Sequence, residues 1–302
     1  MDFTKSFVRS KNPCAEGFRW YARHHRDGAD YQQVLDALVA AARVDDACWL
    51  LDKLGSTSAV LELERLECSA LVFAGTVQVR GGVEVDSVLR AGGSIQVGGT
   101  IRAGRDVIAG DELRAAGGVN CDGDVRCAGS MRTDGHVRAG GALRAGGMKV
   151  GGSVDCMGSL CATGPASVQG DLLVGGDCSA RALTVHGWLQ VSGSLRVHEG
   201  VIARDGLDCG MHLDAAWGIR SSGDIRAGGA IRAGESIQAA GEIRAGRGYG
   251  VFAGLGVERE NWEHSARVSA RRRPEGLLSG FWAGPGADPA TAFCIQHVDE
   301  RK

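Results

Sequence analysis

The chain has 302 residues, of which 44% are hydrophobic but only 5% aromatic, with 48 glycines and a formal net charge of −2 at pH 7. So few aromatic side chains do not fill an ordinary globular core of this length, and so balanced a charge excludes long-range attraction of the whole molecule to DNA or an anionic membrane. No stretch has the length and apolarity of a transmembrane helix, and MDFTKSFVRSKNPC lacks the apolar run of a secretory signal, so the expected location is cytoplasmic.

In chain order, residues 1–56 come first and carry helical periodicity. In DYQQVLDALVAAARV the residues Val34, Leu35, Leu38, Val39, Ala42 and Val44 cover one side of a helix. DDACWLLDKLG continues with Ala47, Cys48, Leu50, Leu51 and Leu54 before Gly55 ends it, and CAEGFRWYARHH places Phe18, Tyr21 and Ala22 together on a further short helix. A unit this small needs a larger surface to pack on, and the open end of the following segment is the nearest one.

That segment, residues 57–248, is a repeat. It begins with Leu61, Leu66 and Leu71 at a spacing of five, each followed two residues later by Leu63, Cys68 and Phe73. From Val77 an aliphatic anchor then recurs every six residues, with Ala, Val or Cys two places after it except at Thr133 and Ser221, and with one or two glycines typically three or four places after it. One-residue slips fall between Leu143 and Met148 and between Cys178 and Leu183, and the anchors up to Ile243 number 29. Two inward positions around one outward position define a very short strand, and glycine supplies the corner. Such a repeat predicts an all-β fold, a single-stranded β-helix or β-solenoid with hexapeptide-type faces; three faces to a coil give about ten coils. Residues 249–302 leave the hexad and form a β/loop C-terminal cap, in which Val251, Ala253, Leu255 and Val257 share one face and AFCIQHV supplies a further strand.

The side chains that carry chemistry are few. Cys121, Cys127, Cys156 and Cys209 stand at the small inward position and Cys178 at an anchor, so they read as reduced core thiols rather than a disulfide or metal framework. No cofactor or metal motif is present. The outward position is rich in arginine, including Arg114, Arg126, Arg132, Arg138 and Arg144, then Arg226, Arg232 and Arg244. Residues eighteen apart stack, placing Arg114 over Arg132, Arg126 over Arg144 and Arg226 over Arg244. Such rows suit a repetitive anion. Alternatively, acids just before the anchors, among them Asp106, Glu112, Asp124, Asp224 and Glu242, neutralise them. Trp188 and Trp217 interrupt the rhythm where small residues usually stand, and with Trp262 they join the candidate partner-binding residues, each weighed against a role as a local lid. The histidines His136, His186, His198 and His212 lie in turns or outward positions with no carboxylate at a telling distance, which disfavours a catalytic reading.

The runs VRAGGALRAGG, GDIRAGGAIRAGESIQAAGEIRAG and VQVRGGVEVDSVLRAGGSIQVGG resemble bactofilins and the related polymer-forming β-solenoid domains of flagellar-assembly-A-type proteins, over residues 61–248. The resemblance implies a nucleotide-independent cytoplasmic scaffold whose coils stack end to end. The helical N-terminus and the long C-terminal segment depart from that pattern. Three functions follow for test: a non-catalytic scaffold that partners itself end to end or side by side, or another protein; a binding module or toxin and effector component that presents arginine ladders or corner tryptophans to an anionic or protein target; and a hexapeptide-type acyltransferase. Against the last, the acyltransferase hexad sets its small residue four places after the aliphatic one, whereas here it stands two places after.

Overall fold

The computed structural model describes residues 5–24 and 30–285. They fall into two compact units, residues 1–152 and 153–302, each of which is taken by itself below. Both are parallel β-solenoid with three strands to a turn, so the fold is all-β with a short helical unit at its start.

The first unit opens with four helices, α1 (Lys5–Ser10), α2 (Ala15–His24), α3 (Tyr31–Ala40) and α4 (Val44–Leu54). The Asp30 side chain caps α3 by accepting from the Gln32 N–H at 3.1 Å. The apolar stripe read across DYQQVLDALVAAARV breaks earlier than its periodicity suggests, because Ala42 takes a left-handed φ of 57° and leaves the helix. Leu35, Leu38, Leu50 and Leu51 are buried with Tyr21 and Tyr31, and the same cluster takes in Val72 and Ala74 from the solenoid. The helix α1, whose Val8 joins this core, was not visible as a periodic segment.

The first strands, β1 (Val60–Leu63), β2 (Leu66–Cys68) and β3 (Leu71–Phe73), each begin one of three parallel sheets. Pairing joins anchor to anchor: Leu61 opposes Val77 and Val77 opposes Ile95 in the first sheet, Leu66 opposes Val83 in the second, and Leu71 opposes Leu89 in the third. The opening turn is therefore two residues shorter than the next, as the five-residue spacing predicts. Most later strands are three residues long, with two buried ends around a middle residue that is exposed or half-buried, as at Val125–Cys127 and Leu89–Ala91. The anchors stack into a dry interior; Ile95, Ile101, Val107 and Leu113 are each 0% exposed. Full burial of such a side chain contributes ~1.5–3 kcal/mol. At the first slip Met131 opposes Met148, so the corner loses a residue while the anchor row continues.

Corners pack turn on turn. A Cβ added to Gly98 would stand 2.0 Å from the Arg80 carbonyl oxygen of the preceding turn, so no larger residue fits without moving the backbone.

In the second unit the same ladder runs from Val154 to Ile243. The second slip sets Ala166 opposite Leu183 and Cys178 opposite Leu195, again with anchors aligned. Ser221 takes the small inward place, and its hydroxyl donates to the Asp224 carbonyl at 3.4 Å and accepts from the Gly223 N–H at 3.1 Å. A buried hydroxyl is thereby satisfied. The alternation read over Val251, Ala253, Leu255 and Val257 fails after Ala253. Gly254 turns with φ +74°, and Leu255 is 58% exposed. After an excursion the chain returns as strands Arg267–Ser269, Leu277–Ser279 and Phe281–Gly284, which extend the first, third and first sheets respectively. AFCIQHV lies outside the described residues.

Candidate functional site

Three sets of residues stand out. The first is the contact of the helical unit with the solenoid, which covers both the outer face of β3 and its edge. Val72, an outward residue, is only 1% exposed beneath the helices. The Gln32 side chain donates from Nε2 to the Val72 carbonyl at 3.0 Å and accepts at Oε1 from the Ala74 N–H at 2.9 Å. A primary amide thus takes the place that a neighbouring strand's peptide would occupy, closing the first edge of the third sheet. Arg90 and Arg105 tie the same region to Asp52 and Asp45 on α4. Between α2, α3 and α4 lies a cavity of about 180 Å³ walled by Trp20, Tyr21, Leu38 and Trp49. Its acidic rim is already engaged, since Asp46 pairs with Arg43 at 2.5 Å and Asp45 with Arg105.

The second set is the outward arginines, whose stacking follows the expected register. Arg114 opposes Arg132, Arg126 opposes Arg144 and Arg226 opposes Arg244. They divide into two groups. Arg126, Arg226 and Arg244 pair with Asp124, Asp224 and Glu242, the acids just before their own anchors, and Arg232 reaches Asp214 on the adjacent strand at 3.5 Å. Burial is the largest single influence on the Asp124 carboxyl and pushes its pKa up, but the Ala142 N–H and the Arg126 and Arg144 guanidiniums together outweigh it and hold the carboxyl below its usual range. Among the described residues, Arg114, Arg132, Arg138 and Arg144 form no ion pair, and Arg132 continues to Lys149 in the first sheet. Glu112, which stands just before the anchor Leu113, accepts from the Ser130 hydroxyl instead.

The tryptophans separate in the same way. The Trp188 indole lies so close over Gly206 that an added Cβ there would meet its ring at 2.5 Å, making it a lid on the next turn. Trp262 donates its indole N–H to the Val257 carbonyl at 3.2 Å and holds the C-terminal excursion. Trp217 alone of the three is open, 52% exposed on a corner whose backbone is bonded to Glu199 on one side and Glu235 on the other. His212 is structural, accepting from the Ala230 N–H at 3.1 Å, and burial, with the nearby Arg204 charge, lowers the His186 pKa.

The third set lies at the end of the second sheet. The segment Arg272–Glu275 stands off from the strand Ile243–Arg244, leaving a cleft of about 420 Å³. Nothing in the repeat signals it, because it arises where the repeat stops.

Fold and surfaces together define a parallel β-solenoid with a helical unit docked on its first turns. Residues 1–57 match the YdhT N-terminal domain family, under a fifth of the 302-residue chain. No curated protein and no solved structure matches it. Among the described residues no helix is long and apolar enough to cross a membrane, and no group of three or more His, Cys, Asp or Glu is placed to hold a metal ion.

Proposed function

We propose that this is a non-catalytic scaffold, a solenoid that holds outward side chains at fixed strand spacing and assembles with copies of itself through its terminal strands. The observation that carries this reading is the treatment of the first strand edges. Gln32 closes the edge of β3, while β1 keeps Val60 51% exposed and Leu61 and Leu63 half-buried. A partly closed end limits stacking, so the intact chain forms small oligomers in the cytoplasm, a compartment that suits its free thiols. The bactofilin-like alternative, an open-ended polymer, uses the same edges without the limit. Sedimentation equilibrium with negative-stain microscopy tests this. Small oligomers that dissociate in Leu61→Lys support the scaffold, and long nucleotide-independent filaments favour the polymer. A strict monomer, unchanged by Leu61→Lys at high concentration, rejects both.

A second reading rests on the row Arg114, Arg132 and Lys149, which has no ion pairs among the described residues. Such a row binds a sulfated or phosphorylated polymer, with log affinity falling linearly against log salt. Loss of salt-dependent binding in Arg132→Glu would support it, and equal binding by that variant would reject it.

A further inference from the structure

The cleft at the end of the second sheet has the form of a missing strand. Beyond the turn that contains Ile243–Arg244, the first sheet gains Arg267–Ser269 and Phe281–Gly284 and the third gains Leu277–Ser279, but among the described residues the second gains nothing. The chain does cross the second face between those strands, and the Arg271 N–H bonds the Gly241 carbonyl at 2.8 Å. It then stands off as Arg272–Arg273–Pro274–Glu275, in which Pro274 has no N–H to donate to a ladder.

The strand beneath is left with one edge open. In the turns just before it in this sheet the anchor N–H donates to the following turn, from Leu207 to Asp224 at 2.9 Å and from Ile225 to Glu242 at 2.8 Å. The third position accepts in return, as at the Cys209 carbonyl from the Gly228 N–H at 2.8 Å. Among the described residues, the Ile243 N–H and the Ala245 carbonyl have no such partner, and both residues line the cleft. Arg244 stands outward between them, at the end of a row that runs Asp208, Arg226, Arg244. Arg272 and Arg273 also line the cleft, and among the described residues neither forms an ion pair. Two carboxylates share the cleft: Glu242, committed to Arg244, and Glu275 on the rim. Guanidiniums therefore outnumber carboxylates around an open backbone edge. The volume lies within the ~300–1,000 Å³ of ordinary ligand sites.

We propose that this cleft captures one extended segment of a partner protein by strand addition, with the pattern apolar, acidic, small. The apolar residue continues the Ile225–Ile243 stack, the acidic one lies beside Arg244 under Arg272 and Arg273, and the segment's backbone accepts from Ile243 and donates to Ala245. A complete turn of a second copy does not enter, because the flanking sheets rise above the Ile243–Arg244 edge on both sides. The inference uses only the second sheet's end and stands whether or not the protein assembles with itself.

The test is fluorescence anisotropy of the full chain with a labelled peptide, acetyl-Gly-Ser-Val-Glu-Val-Gly-Ser-amide. The peptide is expected to bind, with affinity at least fivefold weaker when its Glu is replaced by Gln and at least tenfold weaker in the Arg272→Glu, Arg273→Glu double variant. Both arginines are exposed, so an unchanged melting temperature shows that the variant is folded. A peptide N-methylated at the Gly that follows Val-Glu-Val should lose binding, because that amide is the one that donates to the Ala245 carbonyl, as the Gly228 N–H does to Cys209. Equal binding by the N-methylated peptide would overturn strand addition. Complete displacement by inorganic phosphate would make the cleft a small-anion site, and displacement by self-association of the chain would assign it to a second copy; either result removes the proposal.

Discussion

The helical unit and the repeat that follows it are stabilised by opposite designs. In the helical unit each residue has its own neighbours: Leu35 meets Leu51 and Val72 in one cluster, and Gln32 makes a pair of hydrogen bonds that no other residue makes. In the repeat, position within the hexad decides burial, and the anchors Ile95, Leu113, Ile219 and Ile231 are all 0–1% exposed. A residue of the repeat can therefore be assigned its role from phase alone. A residue of the helical unit cannot.

The sharpest break of that contrast is within one strand of the repeat. Ile231 is 0% exposed and Arg232, its neighbour, is exposed beside Asp214. Ile231→Asp places an unpaired charge in a dry anchor row and is expected to abolish folding, whereas Arg232→Ala should cost within ~0.5 kcal/mol. Circular dichroism melts of the two variants decide it, and similar melting temperatures would show that phase does not set the role.

Glycines test the same rule at the corners. Gly98→Ala puts a methyl 2.0 Å from the Arg80 carbonyl, while at Gly200 the nearest atom, the Gly218 carbonyl, is 3.4 Å away. The first should destabilise by ~1–3 kcal/mol, as overpacking does, and the second should be near neutral. Urea unfolding of both measures the difference.

For the helical unit the informative variant is Gln32→Leu, which keeps the size of the side chain but strands the Val72 carbonyl and the Ala74 N–H. Because both bonds are only part-buried, the cost belongs at the lower end of ~1–3 kcal/mol, and it should fall on the helices and β3 alone. Hydrogen exchange is expected to show faster exchange at Ala74 with the Val154–Ile243 ladder unchanged. Uniform loss of protection would mean that the two regions unfold as one.

What the sequence made legible follows from this contrast. The anchors, the two slips and the stacking of Arg114 on Arg132 were readable because a repeat samples each environment many times, so that an aliphatic residue six places from its like has one inward solution. The break at Ala42 was hidden because alanine favours helix and only the tertiary turn into α4 imposes its left-handed backbone. Leu255 misled for a similar reason: alternation continued in the sequence after Gly254 had already turned the strand aside. The ion pairs were half legible. An acid just before an anchor reaches the arginine two places on at Asp124 and Asp224, yet Glu112 turns to Ser130, a choice made between turns and not within one. The Gln32 edge and the cleft at Ile243 had no local signal, since both depend on where a ladder ends.

The smallest expected effect concerns the thiols, and pH supplies its sign. Burial pushes the Cys121 and Cys127 thiols up to about 11 and Cys178 to about 12, because an apolar interior disfavours the thiolate. In the unfolded chain a thiol ionises near its ordinary value of ~8.5, so between that pH and about 11 to 12 the folded state holds protons that the unfolded state has released. Stability from these groups is thus complete below the unfolded value and is lost as pH rises through that window. Replacing Cys121, Cys127 and Cys178 together by alanine should flatten the alkaline fall in urea-derived stability relative to the parent chain. The same three should resist a water-soluble thiol reagent at pH 8 while exposed Cys14 reacts first and half-buried Cys161 next. Simultaneous labelling of Cys121 and Cys14 in the native protein would place the inward position of the hexad at the surface, and the phase argument would fail with it.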